Sequence, residues 1–136
     1  MKNNDIFFKK MNKIFHEDGN IFHIYKESIA EFDFKEIYAS TIKSKALKGW
    51  KQHTKMTMRL FVPSGNVTFQ FYDEFGHSIV ECVGEERYGY LTVKPGIWFA
   101  FRGSSDASSI ILNLADIEHS EGEVQRLPIN SFKLTI

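Results

Sequence analysis

The sequence predicts an all-β fold, a sandwich or barrel of short strands. Runs rich in aromatic and β-branched residues recur at intervals of roughly ten residues, separated by turns that contain Gly, Pro, Asn or Ser. Phenylalanine alone occurs 13 times in 136 residues, and aromatic residues favour strands. A chain of this length is long enough for one core and short for two, so we expect one domain over residues 1–136.

The first third of the chain predicts a hairpin and a strand with a polar face. The apolar positions of residues 6–15 fit a short helix or a strand, and we favour a strand. Gly19 and Asn20 accept positive φ and favour a turn, so residues 21–25 complete a hairpin. Residues 36–42 alternate, with Glu36, Tyr38 and Ser40 on one side of a strand.

Turns divide the rest of the chain into further strands. Residues 62–66 separate two β runs, and residues 67–73 form the clearest strand in the chain. Lys94-Pro95-Gly96 precedes a strand at 97–101. Ser120 and Glu123 have the spacing of a capping box, which predicts a single helical turn. Further strands are expected at residues 79–83, 91–93 and 109–114.

The stretch Leu47–His53 is the one around which the chain is organised. Alternate residues of a strand point to opposite faces. If the same alternation continues after residues 54–55, this stretch and the run that follows divide into one polar and one apolar set of side chains. An imidazole beside cations suits an anionic small molecule inside a β-barrel, although a solvated face is the alternative. The polar set is Lys51, His53, Thr57 and Arg59, and the packing set is Trp50, Met56, Met58, Leu60 and Val62.

The composition excludes several classes of protein. Lys and Arg together number 17 and Asp and Glu number 17, so a net charge of zero gives no indication of nucleic acid or membrane binding. The single Cys82 excludes an internal disulfide and a cysteine-based zinc site. We see no signal peptide or membrane span, and we expect a cytoplasmic protein.

The five histidines do not form a metal-binding pattern. No two of them have the i, i+2 spacing that places a pair of imidazoles on one strand face, so we predict no metal. The sequence also lacks the Gly-x-Ser-x-Gly motif of serine hydrolases and a phosphate-binding glycine loop. These chemistries are therefore not expected.

The order of several motifs resembles the dTDP-4-dehydrorhamnose 3,5-epimerase family, in its shorter branch near the sugar-nucleotide 3,4-ketoisomerases. The resemblance covers about residues 15–127 and implies a jelly-roll (cupin) barrel, commonly encoded with surface-polysaccharide genes. It further implies a homodimer that binds a nucleotide-diphospho-4-keto-6-deoxy sugar without a metal or organic cofactor. The motifs are Leu47-Lys48-Gly49-Trp50-Lys51-Gln52-His53, Gly65-Asn66-Val67-Thr68-Phe69, Lys94-Pro95-Gly96-Ile97-Trp98-Phe99-Ala100-Phe101 and Ile111-Leu112-Asn113.

The sequence departs from this family at its catalytic positions. With Gly49 aligned on the family's Arg-Gly-Leu-His-x-Gln motif, Lys51 stands in place of the catalytic histidine. His53 instead matches the second histidine of the His-x-His of the ketoisomerases, and Leu112 falls near the late catalytic tyrosine. Phe99 stands where the ketoisomerases have the histidine of a Trp-His pair.

The resemblance suggests roles for ten residues. His53 is the predicted base, Lys51 an enolate stabiliser or second base, and Tyr72 a proton donor. We read the segment that contains His119 as a structural connection, with a position at the barrel mouth as the alternative. The predicted substrate-binding residues are Lys48 and Arg59 on the diphosphate, Tyr38 and Trp98 stacked on base or sugar, and Glu36, Asn113 and Arg102.

These observations predict an epimerase or ketoisomerase of a nucleotide-linked 4-keto sugar for a surface polysaccharide such as lipopolysaccharide. The first alternative is a sugar-nucleotide-binding cupin that has lost catalysis and supports a glycosyl- or acyltransferase. A cupin for an unrelated small anion is the second. The convergence of a base and an acid on one cavity would favour the enzyme over the binding protein.

Overall fold

The computed structural model describes residue 1, residues 5–29 and residues 32–136. Within these residues the chain forms twelve β-strands and three short 3₁₀ turns, and it has no α-helix. The 3₁₀ turns are Glu27–Ile29, Glu121–Glu123 and Ile129–Ser131. The strands are β1 Ile6–Lys10, β2 Lys13–Ile14, β3 Ile21–Phe22, β4 Glu36–Ile42, β5 Leu47–His53, β6 Met58–Ser64, β7 Asn66–Tyr72, β8 Ser78–Gly84, β9 Gly89–Val93, β10 Trp98–Gly103, β11 Ser109–Ala115 and β12 Val124–Arg126.

Ten of these strands form two antiparallel sheets of five. The first sheet has the order β1-β9-β6-β11-β4, and the second has the order β12-β5-β10-β7-β8. Strands β2 and β3 pair separately as a small hairpin. Two facing antiparallel sheets with crossed connections are the arrangement of a jelly roll, so the predicted fold is confirmed.

The main core lies between the two sheets. Aromatic and aliphatic side chains from both inner faces fill it, among them Phe69 and Phe71 of β7 and Leu60 of β6. A second cluster covers the outer face of the first sheet around Phe61, Tyr88 and Tyr90. The jelly roll therefore has one covered outer face in addition to its central core.

The C-terminal segment covers the outer face of the second sheet. Trp50 is fully buried there and donates from Nε1 to the carbonyl of Ile129 at 2.9 Å. Tyr72 donates its hydroxyl to the carbonyl of Lys133 at 2.8 Å. The ring of Phe132 packs against both, at centroid distances of 5.2 Å from Trp50 and 4.9 Å from Tyr72. Strand β5 is thus packed on its outer side by this segment.

A β-bulge in β5 sets which side chains face the interior. Lys51 lies opposite Phe99 and Lys48 opposite Phe101, so three steps along β5 match two along β10. Gly49 has φ +144° at this point, and a Cβ there would lie 2.5 Å from the Cβ of Ala100. Glycine permits this close approach of the two strands.

The structure corrects three details of the predicted elements. Residues 6–15 form two strands, and the strand predicted at 21–25 is only Ile21–Phe22. The run after His53 does not resume in phase, because residues 54–57 leave the strand before β6 begins. Met58 and Leu60 therefore face the interior with Lys51 and His53, and Arg59 points to the other face.

Candidate active site

A cavity of about 410 Å³ opens between the two sheets. This volume is in the range of small-molecule sites. Its inner wall is apolar, and polar side chains from β4, β5, β11 and the segment 119–126 surround the rest. The apolar wall consists of Met58, Leu60, Phe69, Phe99, Phe101 and Ile111.

A buried imidazole–carboxylate pair lies at one side of the cavity. Nδ1 of His53 is hydrogen-bonded to Oε1 of Glu123, and the two residues are only 6% and 3% exposed. The His53 ring also stacks on Phe99, with an interplanar angle of 10°. Because Glu123 binds Nδ1, Nε2 is the ring nitrogen that remains for a ligand. The Glu123 carboxylate on Nδ1 also makes the imidazole a stronger base at Nε2.

Glu123 also fixes the connection between β5 and β6. Its Oε2 accepts the backbone N–H groups of Lys55 at 3.2 Å and Met56 at 3.3 Å. Burial opposes ionisation of this carboxyl, but the hydrogen bonds from His53 and from the backbone outweigh burial and hold its pKa below the ordinary value.

We therefore expect acid to destabilise the protein through Glu123. A carboxyl with a depressed folded-state pKa contributes stability above the unfolded pKa of about 4.3, and this stability is lost as the pH falls through the folded-state value. Urea unfolding between pH 3 and pH 7 would measure the decline, which should be weaker in Glu123→Gln. Parallel curves for the two proteins would contradict this assignment.

Tyr38 provides a neutral hydroxyl on the β4 side of the cavity. Asn113 donates from Nδ2 to the Tyr38 hydroxyl oxygen at 3.0 Å, and Asn113 Oδ1 accepts the backbone N–H of Arg59 at 3.1 Å. The phenol oxygen accepts this bond, and its own hydrogen is directed to the Met56 sulfur at 3.9 Å. A thioether sulfur is a weak acceptor, so a ligand oxygen can take this hydrogen instead. Burial raises the pKa of Tyr38, which keeps the phenol protonated.

Cations gather at the rim of the cavity. Lys51 and Arg126 lie side by side, because they are register partners on β5 and β12. Burial, followed by the nearby charges of Arg126 and Lys48, lowers the pKa of Lys51. Arg126 also forms a two-pronged contact with Glu121, at 3.0 Å and 3.4 Å. This rim is suited to an anionic group such as a diphosphate.

Five of the ten residues predicted from the sequence line this cavity. Two of them, Lys51 and His53, come from β5, and the other three come from β4 and β11. These residues belong to different sheets and converge only in the folded chain. The remaining three are Glu36, Tyr38 and Asn113.

The other five predicted residues lie outside the cavity lining. Lys48 is exposed and donates to the carbonyl of Thr41 at 3.0 Å. Arg59 lies over the ring of Phe32 on the outer face of the first sheet, at 4.2 Å. Its position differs from the predicted one because the strand phase changes before β6.

Tyr72, Trp98 and Arg102 lie on the outer face of the second sheet. Tyr72 and Trp98 pack against Phe132, and Arg102 donates to the carbonyls of Lys45 and Ile136. The C-terminal segment occupies the face on which a ligand of these three residues would have to bind. We therefore assign them no part in the proposed chemistry.

Sequence reasoning did not identify Glu123, Glu121 and Arg126 as cavity residues. The predicted helical turn is present at Glu121–Glu123, but Ser120 makes no side-chain capping bond, and the Glu123 side chain contacts His53 instead. His119 reaches the cavity rim, which was the alternative position for it. The sequence signals for this group were the capping-box spacing of Ser120 and Glu123 and the acidic residues around His119, and neither indicated a cavity.

The described part of the chain has neither a metal-binding cluster nor a membrane-spanning helix. No cluster of three His, Cys, Asp or Glu side chains in residues 1, 5–29 and 32–136 could hold a metal ion. The helical turns of these same residues include none that is long and apolar enough to cross a bilayer.

Comparison with known families places the chain. The family FdtA: WxcM-like, C-terminal, matches residues 4–132. The chain belongs to this FdtA family. This result confirms the resemblance seen in the sequence, since the FdtA match is accompanied by structural similarity to sugar-nucleotide isomerases and epimerases. A search of curated proteins finds no match.

Three solved structures illustrate the similarity of this FdtA chain to known proteins. A dTDP sugar isomerase from Desulfovibrio desulfuricans G20 is 28% identical, with a TM-score of 0.87 over 94% of this chain and 87% of that one. QdtA, a sugar 3,4-ketoisomerase from Thermoanaerobacterium thermosaccharolyticum in complex with TDP, is 18% identical, with a TM-score of 0.77 over 93% and 90%. A dTDP-4-dehydrorhamnose 3,5-epimerase from Bacillus anthracis str. Ames with TDP and PPi bound is 14% identical, with a TM-score of 0.82 over 100% and 86%. The last two similarities show the cupin fold alone.

Proposed function

We propose that this FdtA-family protein isomerises or epimerises a nucleotide-diphospho-4-keto-6-deoxy sugar at a carbon beside the C4 carbonyl. The observation that supports this most directly is the convergence of a carboxylate-held imidazole and a neutral phenol on one cavity. The related structures bear the names of dTDP-sugar enzymes. We further propose that it acts in the cytoplasm, as a homodimer, in the supply of sugars for a surface polysaccharide.

The chemistry requires a base for a carbon-bound proton and a donor for the enolate oxygen. His53 takes the proton at Nε2, while Glu123 holds the opposite nitrogen and stabilises the imidazolium that forms. Tyr38 donates its hydroxyl hydrogen to the oxygen that becomes negative, and Asn113 holds the phenol oxygen in place. The apolar wall next to these groups excludes water and strengthens both interactions.

The experiment that tests this function is proton NMR of dTDP-4-keto-6-deoxyglucose in deuterated water, with and without the protein. Protein-dependent loss of the C3 or C5 proton signal is expected and identifies the carbon. Line broadening of the ligand without any exchange would instead support the binding protein without catalysis. No change in the spectrum would contradict both functions for this sugar.

The cationic rim leads to a binding prediction. If Lys51 and Arg126 contact the diphosphate, Lys51→Met and Arg126→Gln should each weaken the binding of dTDP about tenfold, because each removes a charge-assisted hydrogen bond. Isothermal titration calorimetry of the purified variants would measure the affinity.

Trp98→Ala is the matched control for this binding measurement. Trp98 contacts Phe132 outside the cavity, so its removal should change the affinity less than about twofold. A larger loss in Trp98→Ala than in Arg126→Gln would contradict the position proposed for the diphosphate.

A further inference from the structure

A second imidazole–carboxylate pair lies at the rim of the same cavity. Nε2 of His119 is 3.1 Å from Oε1 of Glu121. The backbone N–H of His119 donates to Oε1 of Glu36 at 2.6 Å, so two cavity carboxylates hold this residue. The His119 side chain is 40% exposed and meets solvent directly, whereas His53 meets solvent only through the cavity.

The two imidazoles reach the cavity from different parts of the chain, His53 from a strand and His119 from the connection that follows β11. His53 belongs to β5 of the second sheet, whereas the His119 ring packs edge-on against Tyr38 of β4 in the first sheet, at a centroid distance of 6.0 Å. A sugar bound in the cavity would therefore have His53 on the side of the second sheet, and Tyr38 with the adjoining His119 on the side of the first. A single base can remove a proton and return one on the same face of a sugar, whereas transfers on opposite faces need two groups.

We propose that His119 is the second acid–base residue of this site, the one that delivers a proton to the sugar carbon from the side opposite His53. The proposal rests on the proposed function and adds to it the residue for the return step. Sequence analysis placed His119 at the barrel mouth only as an alternative and assigned it no chemical role.

The proposed isomerisation moves the carbonyl from C4 to C3 in two steps. In the first step the C3–H bond breaks, His53 takes the proton, the electron pair forms a C3–C4 double bond, and O4 takes a proton from Tyr38. In the second step the double-bond pair forms a C4–H bond with a proton from the His119 imidazolium, and O3 loses its proton as it becomes the carbonyl. The proton from O3 restores Tyr38, and solvent restores the two imidazoles.

Other groups at the cavity fit the return step less well. His119 lines the cavity and is also 40% exposed, so its imidazole contacts both a bound ligand and solvent. The Tyr38 phenol is half-buried and its oxygen is held by Asn113, which suits a donor to a sugar oxygen better than a group that takes protons from solvent. Glu121, which is paired with Arg126, has a pKa lowered by its hydrogen bonds to Arg126 and His119 and stays an acceptor.

The test compares His119→Gln with the intact protein on dTDP-4-keto-6-deoxyglucose in deuterated water. Two rates are measured by NMR: the loss of the substrate C–H signal, which reports the first step, and the appearance of the isomerised or epimerised product. His119→Gln should keep the exchange rate within about threefold and slow product formation about 100-fold. His77→Gln is the control, because the His77 side chain is 65% exposed and contacts Asp73 outside the cavity.

The outcomes distinguish this proposal from the proposed function. If His119→Gln loses exchange and product formation equally, or loses neither, His119 does not have the proposed role. Exchange by the intact protein would still support the proposed function in either case. Failure of the intact protein to exchange any substrate proton would overturn both. Thermal melts of each variant show whether a loss comes from unfolding.

Discussion

His53→Asn is expected to slow the exchange of the substrate C–H proton by about 10²- to 10⁴-fold, the contribution of a positioned general base. Asn keeps an N–H group that can reach Glu123, but it cannot accept a proton from carbon. Initial exchange rates by proton NMR would measure the effect. Because the carboxylate keeps a donor, we expect the circular dichroism spectrum and the thermal melt to stay close to those of the intact protein.

His53→Ala is a poorer variant for this purpose. It would leave the carboxylate of Glu123 buried without its ring partner, a change that costs about 3–5 kcal/mol in comparable buried pairs. Loss of activity in His53→Ala would therefore mix chemistry with unfolding. An exchange rate in folded His53→Asn that equals the normal rate would remove His53 from the mechanism.

Trp50→Ala is expected to lower the free energy of unfolding by about 3–5 kcal/mol, as for other fully buried large side chains. The change removes a fully buried indole, its contacts with Tyr72 and Phe132, and its hydrogen bond to the carbonyl of Ile129. Urea unfolding followed by fluorescence would measure the loss.

Trp98→Ala again provides the comparison. Trp98 packs on the same Phe132 ring but is only partly buried, so its removal should cost about 1–2 kcal/mol. If the two variants lose the same stability, the packing of the C-terminal segment on Trp50 would not be the important interaction on this face.

The strand content was predictable because its signals are local. The strand predicted at 67–73 is observed as Asn66–Tyr72, and the turn at Lys94-Pro95-Gly96 separates β9 from β10. Alternation within a strand needs only neighbouring residues, so Lys51 and His53 were assigned correctly to one face. The face on which Arg59 lies could not be predicted in this way. Residues 54–57 precede it outside any strand, and side chains do not alternate regularly there.

The rest of the candidate site depends on contacts between distant residues. Glu123 lies 70 residues after His53 in the sequence. Its spacing from Ser120 suggested a role in capping a helical turn, so no role in the cavity was predicted for it. The contacts of Tyr72 and Trp98 with Phe132 could not be predicted, because no period in the sequence indicates that the C-terminal segment packs on the second sheet. Such pairings are set by tertiary structure, and a single sequence does not reveal them.

The distance in sequence between His53 and Glu123 has a consequence for biosynthesis. As the chain leaves the ribosome, β5 with His53 emerges well before Glu123, which contacts His53 on the inner side of the strand. It also emerges before Phe132, which packs on Trp50 on the outer side. A nascent chain that ends before residue 119 would have the strands of both five-stranded sheets except β12, but neither acid–base pair. Ligand recognition and reactivity thus arise late in translation, after most of the jelly roll has been made.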